Sequence, residues 1–250
     1  MLSRSQIERL GTRFVRRSPP APEDLAALHE LLLVYGDALE EAVALVQASL
    51  GITPTSRVKT TGTILEKLHR QGGSWLKNIQ DIAGMRIVGT FDRAEQDELV
   101  ARLAHLFDGD RRPRVVDRRM TPSHGYRAVH VIVLVRSVPV EIQVRTQLQH
   151  EWADLFEKLA DKIGRGIRYG EPPEAMPQTW YTTLPPDQQK MYDLRYRIRR
   201  NVVRIAQAVA GMIDAYEVGA LAEPHDPELR DYRAEVDAAL AAFTEELDDL

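Results

Sequence analysis

The chain contains no cysteine. That removes disulfide frameworks, thiolate metal sites and a cysteine nucleophile together. No apolar run approaches the about 20 residues needed to span a bilayer. The N-terminal stretch MLSRSQIERLGTRFVRR also lacks the apolar core of a secretory signal. These absences make a cytoplasmic protein without membrane contact the expectation. A dominant charge is missing too: 33 Lys and Arg face 37 Asp and Glu, a net charge of −4. Any polyanion must therefore be held by a local basic cluster. There is no Walker A sequence, the glycines do not follow the dinucleotide pattern after a strand, and the histidines lack the helical spacing of a zinc site.

What is present is an ordinary globular composition, 44% hydrophobic and 28% charged over 250 residues, enough for one domain with extensions or two small ones. Its cations concentrate in residues 57–70, 111–127 and 190–204, whereas the last 25 residues carry nine acids against two arginines. Such segregation means either a phosphate-rich site or one charged surface packed on another.

Hydrophobic periodicity predicts an amphipathic helix over Pro22 to Leu50, with Leu25, Leu28, Leu32, Tyr35, Leu39, Val43 and Val46 on its stripe and Gly51 as its stop. A short strand over 54–60 and a helix in TGTILEKLHRQGG follow, then a turn at Asp81 to Gly84 and the strand MRIVGTF. Residues 94–107 read as a helix and RPRVVDRR as a strand. HGYRAVHVIVLVRSVPVEIQVRT is a β-hairpin, and QLQHEWADLFEKLADKIG is a helix. After a Pro-rich connector at 171–186 come two long helices, the first with Met191, Leu194, Ile198, Val202, Ile205, Val209 and Met212 at three-four spacing. The expected fold is α/β (α+β): a sheet of about five strands flanked by helices, with a C-terminal helical extension. The domain boundaries read as 1–50 (helical), 51–170 (sheet domain) and 187–250 (helical extension).

Several polar groups interrupt these patterns. Arg57 and Lys59 share one strand face, and Thr63, Lys67 and Arg70 share one face of the next helix, a set that is either a solvated basic face or a polyphosphate cradle. Asp81 is either a turn former or a magnesium ligand. Glu141 lies within the apolar strand VPVEIQVRT, where an unpaired carboxylate costs several kcal/mol. It is either half of a buried ion pair with Arg145 or another arginine, or a metal ligand or general base. With Arg136 and Ser137 as the hairpin loop, His130 faces Gln143 and Ile132 faces Glu141, so that Tyr126, His130, Glu141, Gln143 and Arg145 line one surface. Tyr126 there is either a core aromatic or a stacking platform for a base. His225-Asp226, set among prolines without companion ligands, is read as chance.

Taken together, RVKTTGTILEKLHR, DIAGMRIVGTF, GYRAVH and VEIQVRT…WADLFEKLADK resemble the synthetase domain of the RelA/SpoT family over roughly residues 50–165. The resemblance implies a nucleotidyltransferase-like mixed sheet and a small alarmone synthetase. Such an enzyme transfers the β,γ-pyrophosphate of ATP to the ribose 3′-hydroxyl of GDP or GTP, releases AMP and uses Mg2+. By motif position, Arg57 and Arg86 would sandwich the adenine, and Lys59, Thr63, Lys67 and Arg70 would hold the phosphates. Asp81 and Glu141 would bind magnesium, with Glu141 also the base. Tyr126 would stack on the acceptor base, supported by His130, Gln143 and Arg145.

The chain departs from the family pattern on the acceptor side. TPSHG precedes Tyr126, with His124 where an asparagine is usual, Ala128 replaces a serine, and Phe156-Glu157-Lys158 replaces Glu-His-Lys. ADKIGRGIRYG resembles a toxin-type branch, some of whose members pyrophosphorylate the tRNA 3′ end or make adenine alarmones. The alternative readings are such a toxin, held by an antitoxin protein, and a catalytically silent nucleotide- or RNA-binding module. The helical extension is expected to serve self-assembly into a homo-oligomer or partner binding, the alternative being that its two stripes bury each other.

Overall fold

The computed structural model describes residues 2–109, 111–223 and 225–250; Pro224, expected just before the last helix, lies outside them. A helix not read individually from the sequence, α1 (Arg4–Arg16), comes first. Its capping box is complete: Ser3 Oγ accepts from the Gln6 amide and Gln6 Oε1 accepts from the Ser3 amide. The helix α2 (Pro22–Leu50) has proline in its first turn and ends at Gly51 with φ 68°, as its sequence predicts. Its buried face runs through Leu28, Leu31, Tyr35, Ala38, Leu39, Ala42 and Val46, while Leu25 is exposed. The alanines were not expected in the core because small side chains contribute little to a hydrophobic pattern.

Next come β1 (Thr55–Val58), α3 (Thr61–Gln71), β2 (Ala83–Gly89), α4 (Arg93–Leu106), β3 (Arg114–Asp117), β4 (Val129–Val135) and β5 (Val138–Thr146). They are followed by α5 (Gln147–Ile163), a single turn α6 (Gln178–Tyr181), α7 (Pro186–Ala222) and α8 (Glu228–Asp248). The five strands form one sheet in the order β1-β2-β5-β4-β3, so the architecture is mixed α/β with a five-stranded sheet. β4 and β5 pair antiparallel about Arg136 (φ 50°) and Ser137 (φ 66°), two left-handed residues that make the tight turn matching strand twist. This fixes the expected register, His130 opposite Gln143 and Ile132 opposite Glu141. Among the described residues no helix is long and apolar enough to cross a membrane.

The chain divides into two compact units. The first takes residues up to Val88, Glu98–Val116 and Val129–Val144, and so holds most of the sheet with α1 to α3. The second takes Gly89–Asp97, Asp117–Ala128 and Arg145–Leu250. In its core Trp152 and Phe156 stack at 4.7 Å among buried residues of α5, α7 and α8, and the Trp152 indole donates to the Ala206 carbonyl at 2.7 Å. The expected α7 stripe is split: Val202 and Val209 are buried there with Ala206, Ala210 and Ile213, while Met191, Leu194, Ile198 and Ile205 are exposed. α8 buries Val236, Leu240, Phe243 and Leu247, so the C-terminal half of α7 and α8 do cover each other's stripes. Asp226 of the His-Asp dipeptide accepts from the Glu228 amide at 2.9 Å, a helix-start contact.

A polar network also runs through this core. Glu217 of α7 accepts from Arg93 at 3.1 Å, from Gln149 at 2.8 Å and from the Thr146 hydroxyl. Gln149 in turn accepts from Gln96 at 3.0 Å, and Gln96 from Arg119 at 2.9 Å. Asp214 bridges Arg93 and Arg127, the latter at 3.1 Å. Arg127 also donates to the carbonyls of Gly125 and Ala210 at 3.1 and 3.2 Å. Glu217→Ala would leave Arg93 and Gln149 short of a buried acceptor, and breaking one side of a buried pair costs about 3–5 kcal/mol. Urea unfolding should show a loss of that order, whereas Asp161→Ala, at an exposed i,i+4 pair with Arg165, should cost less than about 1 kcal/mol.

Candidate active site

Glu141 sits at the centre of an apolar strand and is 9% exposed. Its partners are not arginines. His130 Nδ1 donates to Oε1 at 2.9 Å from the paired strand, and Gln143 Nε2 donates to Oε2 at 2.8 Å from two positions along. Strand alternation supplies this geometry, because 141 and 143 share a face and the register brings 130 over it. Burial alone would raise the Glu141 carboxyl; the hydrogen bond and charge of His130, with the Gln143 contact, hold it below the usual carboxylate range, against the opposing charge of Asp81.

Asp81 leaves the turn before β2 with two ammonium groups on it. Lys59 Nζ reaches Oδ2 at 2.7 Å and Lys67 Nζ reaches Oδ1 at 3.0 Å. Lys59 follows β1, and its amide donates to the Ile82 carbonyl at 2.7 Å, which ties it to the Asp81 turn. Lys67 comes from α3, begun by Thr60, whose hydroxyl accepts from the Thr63 amide. Burial would raise the Asp81 carboxyl, and the two lysines outweigh it and lower it. Both carboxylates are therefore ionised at neutral pH.

The two carboxylates open onto one cleft of about 180 Å³ in the first unit, lined also by Arg57, Lys59, Arg86 and Gln143. Six of the residues singled out in the sequence thus line a single pocket. Thr55, Ser56, Gly84 and Met85 complete its wall and were not foreseen, since nothing in their types marks chemistry. Lys67 joins the pocket through Asp81, and His130 through Glu141. Thr63 turns its hydroxyl back to the Thr60 carbonyl at 2.9 Å, and Arg70 is exposed further along α3. Neither lines the pocket.

Tyr126 and Arg145 belong to the second unit, where they pair with each other. The Arg145 guanidinium lies 4.9 Å from the Tyr126 ring centroid and donates to its hydroxyl at 2.9 Å. The preceding His124 has φ 51°, in the left-handed region that asparagine also tolerates, so the position keeps its backbone requirement despite the different residue. Gly125 has φ 97°, and a Cβ there would stand 2.8 Å from the Trp152 ring, which explains the glycine. The Arg93–Asp214–Arg127 and Glu217 network was not foreseen from the sequence. The one signal was the pair of acids at 214 and 217 breaking the apolar run of α7.

Among the described residues no cluster of three or more His, Asp or Glu could hold a metal by itself. Two carboxylates facing one cleft do fit Mg2+, which takes one or two carboxylates and completes its shell with phosphate oxygens and water.

The chain is similar to several known proteins. The chain is 39% identical over 178 residues to the uncharacterized protein Rv1366 of Mycobacterium tuberculosis, a match spanning 70% of this chain and 64% of that protein. It is 32% identical over 126 residues to the GTP pyrophosphokinase YwaC of Bacillus subtilis, covering 45% of this chain and 59% of that protein. The chain thus spans less than two thirds of the length of these relatives. A crystal structure of the small alarmone synthetase 1 from Bacillus subtilis aligns with 24% identity and a TM-score of 0.48, covering 85% of this chain and 99% of that one. Residues 56–162 match the family model described as the region found in RelA / SpoT proteins.

Proposed function

We propose that the protein is an ATP-dependent pyrophosphokinase that transfers the β,γ-pyrophosphate of ATP to the 3′-hydroxyl of GDP or GTP and releases AMP. The observation that carries this reading is the pair of ionised, part-buried carboxylates, Asp81 and Glu141, on one cleft with Arg57, Lys59 and Arg86. A binding module has no need of two carboxylates beside bound phosphate, where like charges repel. Arg57 and Arg86 offer flat guanidinium faces to the adenine, and Lys59 and Lys67 are the nearest cations for the phosphates. Mg2+ held by Asp81 and Glu141 would neutralise charge on the transferred group. The lysines bonded to Asp81 in the free protein are then released to phosphate oxygens.

Glu141 takes the proton from the attacking hydroxyl. Its His130 and Gln143 contacts fix its orientation, and because they lower its pKa it is ready as a base across the neutral range. Diphosphoryl transfer asks for alignment and charge neutralisation rather than a covalent intermediate, which suits a site of cations and two acids. Tyr126 takes the acceptor base, held face-on by Arg145. The acceptor is identified by offering GDP, GTP, AMP and deacylated tRNA in parallel with labelled ATP and magnesium. A labelled guanine tetra- or pentaphosphate with stoichiometric AMP is the expected outcome, labelled tRNA would make the enzyme toxin-type, and no AMP with any acceptor would make it a binder.

Glu141→Gln keeps the shape and removes the base, so transfer should fall by at least about 10²-fold, the lower range for a general base, while ATP still binds by calorimetry. Near wild-type transfer would remove Glu141 from the chemistry. The acid limb supplies a second check. Both carboxylates have folded pKa values below their unfolded ones, so their ionised form, and the stability it contributes, is present above about pH 4 and lost only as pH falls through the lowered values. kcat/KM should therefore show no carboxylate limb between pH 5 and 8; a loss centred at or above the ordinary glutamate value would contradict the assignment.

Tyr126→Ala should raise the acceptor KM by roughly 5- to 150-fold, the range of base–aromatic stacking of about 1–3 kcal/mol, with little change in the KM for ATP. Tyr126→Phe keeps the ring and loses the Arg145 hydrogen bond, so its effect should be the smaller. Equal losses in both variants would show that the hydroxyl, not stacking, matters.

A further inference from the structure

In the second unit, Met191, Leu194, Ile198 and Ile205 of α7 are 38–52% exposed. Their spacing is that of a coiled-coil seam. Met191, Ile198 and Ile205 take the a positions of successive heptads, and Leu194 and the exposed Asn201 take the d positions. A different face of the same turns is already occupied. There the Tyr192 and Tyr196 rings stack at 6.2 Å, and Tyr181 meets Tyr192 edge-on at 5.7 Å. The Tyr181 hydroxyl donates to Asp193 at 3.0 Å, and the Met176 amide donates to the Tyr192 hydroxyl. The connector thus folds against one side of α7 and leaves the apolar seam on the other.

The flanks of this seam carry one sign of charge. Residues 194–213 hold five arginines and no acid. By heptad position Lys190, Arg197 and Arg204 take g and Arg195 takes e, the places whose ion pairs select a partner helix. All four are exposed, and none meets a carboxylate among the described residues. A second copy of the same seam would set cation against cation, g against e in a parallel pair and g against g in an antiparallel one. Such like-charge contacts disfavour self-pairing in either direction. The acidic helix of this chain, α8, is no substitute, because its stripe of Val236, Leu240, Phe243 and Leu247 is buried in the core of the second unit. An acidic helix with a free apolar stripe must come from another protein.

We propose that the face of α7 over residues 191–205 is a docking surface for an acidic amphipathic helix of a second protein, paired as a short heterotypic coiled coil. The partner's apolar side chains cover Met191, Leu194, Ile198 and Ile205, and its Glu or Asp at e and g meet Lys190, Arg195, Arg197 and Arg204. Asn201 at d sets the register, since burying its amide costs least opposite another polar side chain. The seam is only about two heptads long, so the pair is reversible, and its flanking ion pairs weaken with added salt. None of these residues lines the Asp81–Glu141 pocket, so the surface docks its partner whether or not the chain transfers pyrophosphate.

The probe is a synthetic three-heptad peptide with Ile at a, Leu at d and Glu at e and g, titrated into the full-length protein and followed by amide chemical shifts. The amides of Leu194, Ile198 and Ile205 are expected to move on one saturation curve. A peptide with Lys in place of Glu at e and g should bind at least about tenfold more weakly. In Arg197→Glu/Arg204→Glu, at two exposed positions, the preference should invert, with an unchanged melting temperature confirming the fold. A Glu peptide with Ser at a and d should lose binding as well, which separates seam packing from charge attraction alone. Amides of α7 that stay still with the Glu peptide, or equal binding of the Glu and Lys peptides, would overturn the proposal. A single-stranded RNA oligonucleotide that moves these amides as tightly as the Glu peptide would overturn it in favour of a nucleic-acid surface. Sedimentation showing a full-length dimer that Ile198→Glu dissociates would assign the face to a second copy instead.

Discussion

A carboxylate in the middle of a central strand must be satisfied, or the strand cannot be buried. Everything at the candidate active site follows from how Glu141 meets that demand. Its neighbours Val140 and Ile142 are fully buried, so β5 cannot shift by one residue to expose the acid without exposing its whole apolar set. The acid is instead satisfied by two donors on its own sheet face, His130 and Gln143. Neither is a permanent cation, so Glu141 remains a carboxylate that can accept a proton or a metal. A buried guanidinium pair would have fixed it as a structural salt bridge.

Asp81 meets the same demand differently. It sits at a turn, part-exposed, and is satisfied by two lysines on flexible stems from different elements. Those ammonium groups exchange partners at little cost, because the carboxylate and an arriving phosphate compete for the same charge. One acid is thus held by an imidazole and an amide on a hairpin, the other by two ammonium groups on long side chains. In the proposed function, that difference would separate an oriented base from a ligand that reorganises when polyphosphate enters.

The C-terminal helices have a structural role in the second unit beyond covering apolar surface. Asp214 and Glu217 of α7 fasten Arg93, Arg127, Thr146 and Gln149, and the close approach of Gly125 to Trp152 and Ala210 packs the loop bearing Tyr126 against the same core. The loop's departures from the family pattern are local adjustments within that frame. His124 keeps the left-handed backbone, and Ala128 is fully buried, leaving no room for solvent around a hydroxyl.

Much of this was legible without coordinates, because it depends on local rules. Periods of 3.6 and 2 located the helices and strands, Gly51 and Gly164 marked helix ends, and a two-residue loop at Arg136–Ser137 fixed a register that placed His130 opposite Gln143. The motif blocks brought Arg57, Lys59, Asp81, Arg86, Glu141 and Gln143 together, and they do line one pocket. Partner choice was not legible. Whether Glu141 met an arginine or a histidine, whether Tyr126 stood free or beneath Arg145, and which half of the α7 stripe was covered all depend on residues distant in sequence. The Asp214–Arg127 contact spans 87 positions, and the Asp81–Glu141 pocket is assembled from β1, the Asp81 turn, β2 and β5. Sequence determined the elements and the residue types at the site, since those follow from near-neighbour physics; the tertiary structure alone decided which charge satisfies which, since burial and distance are properties of the folded chain.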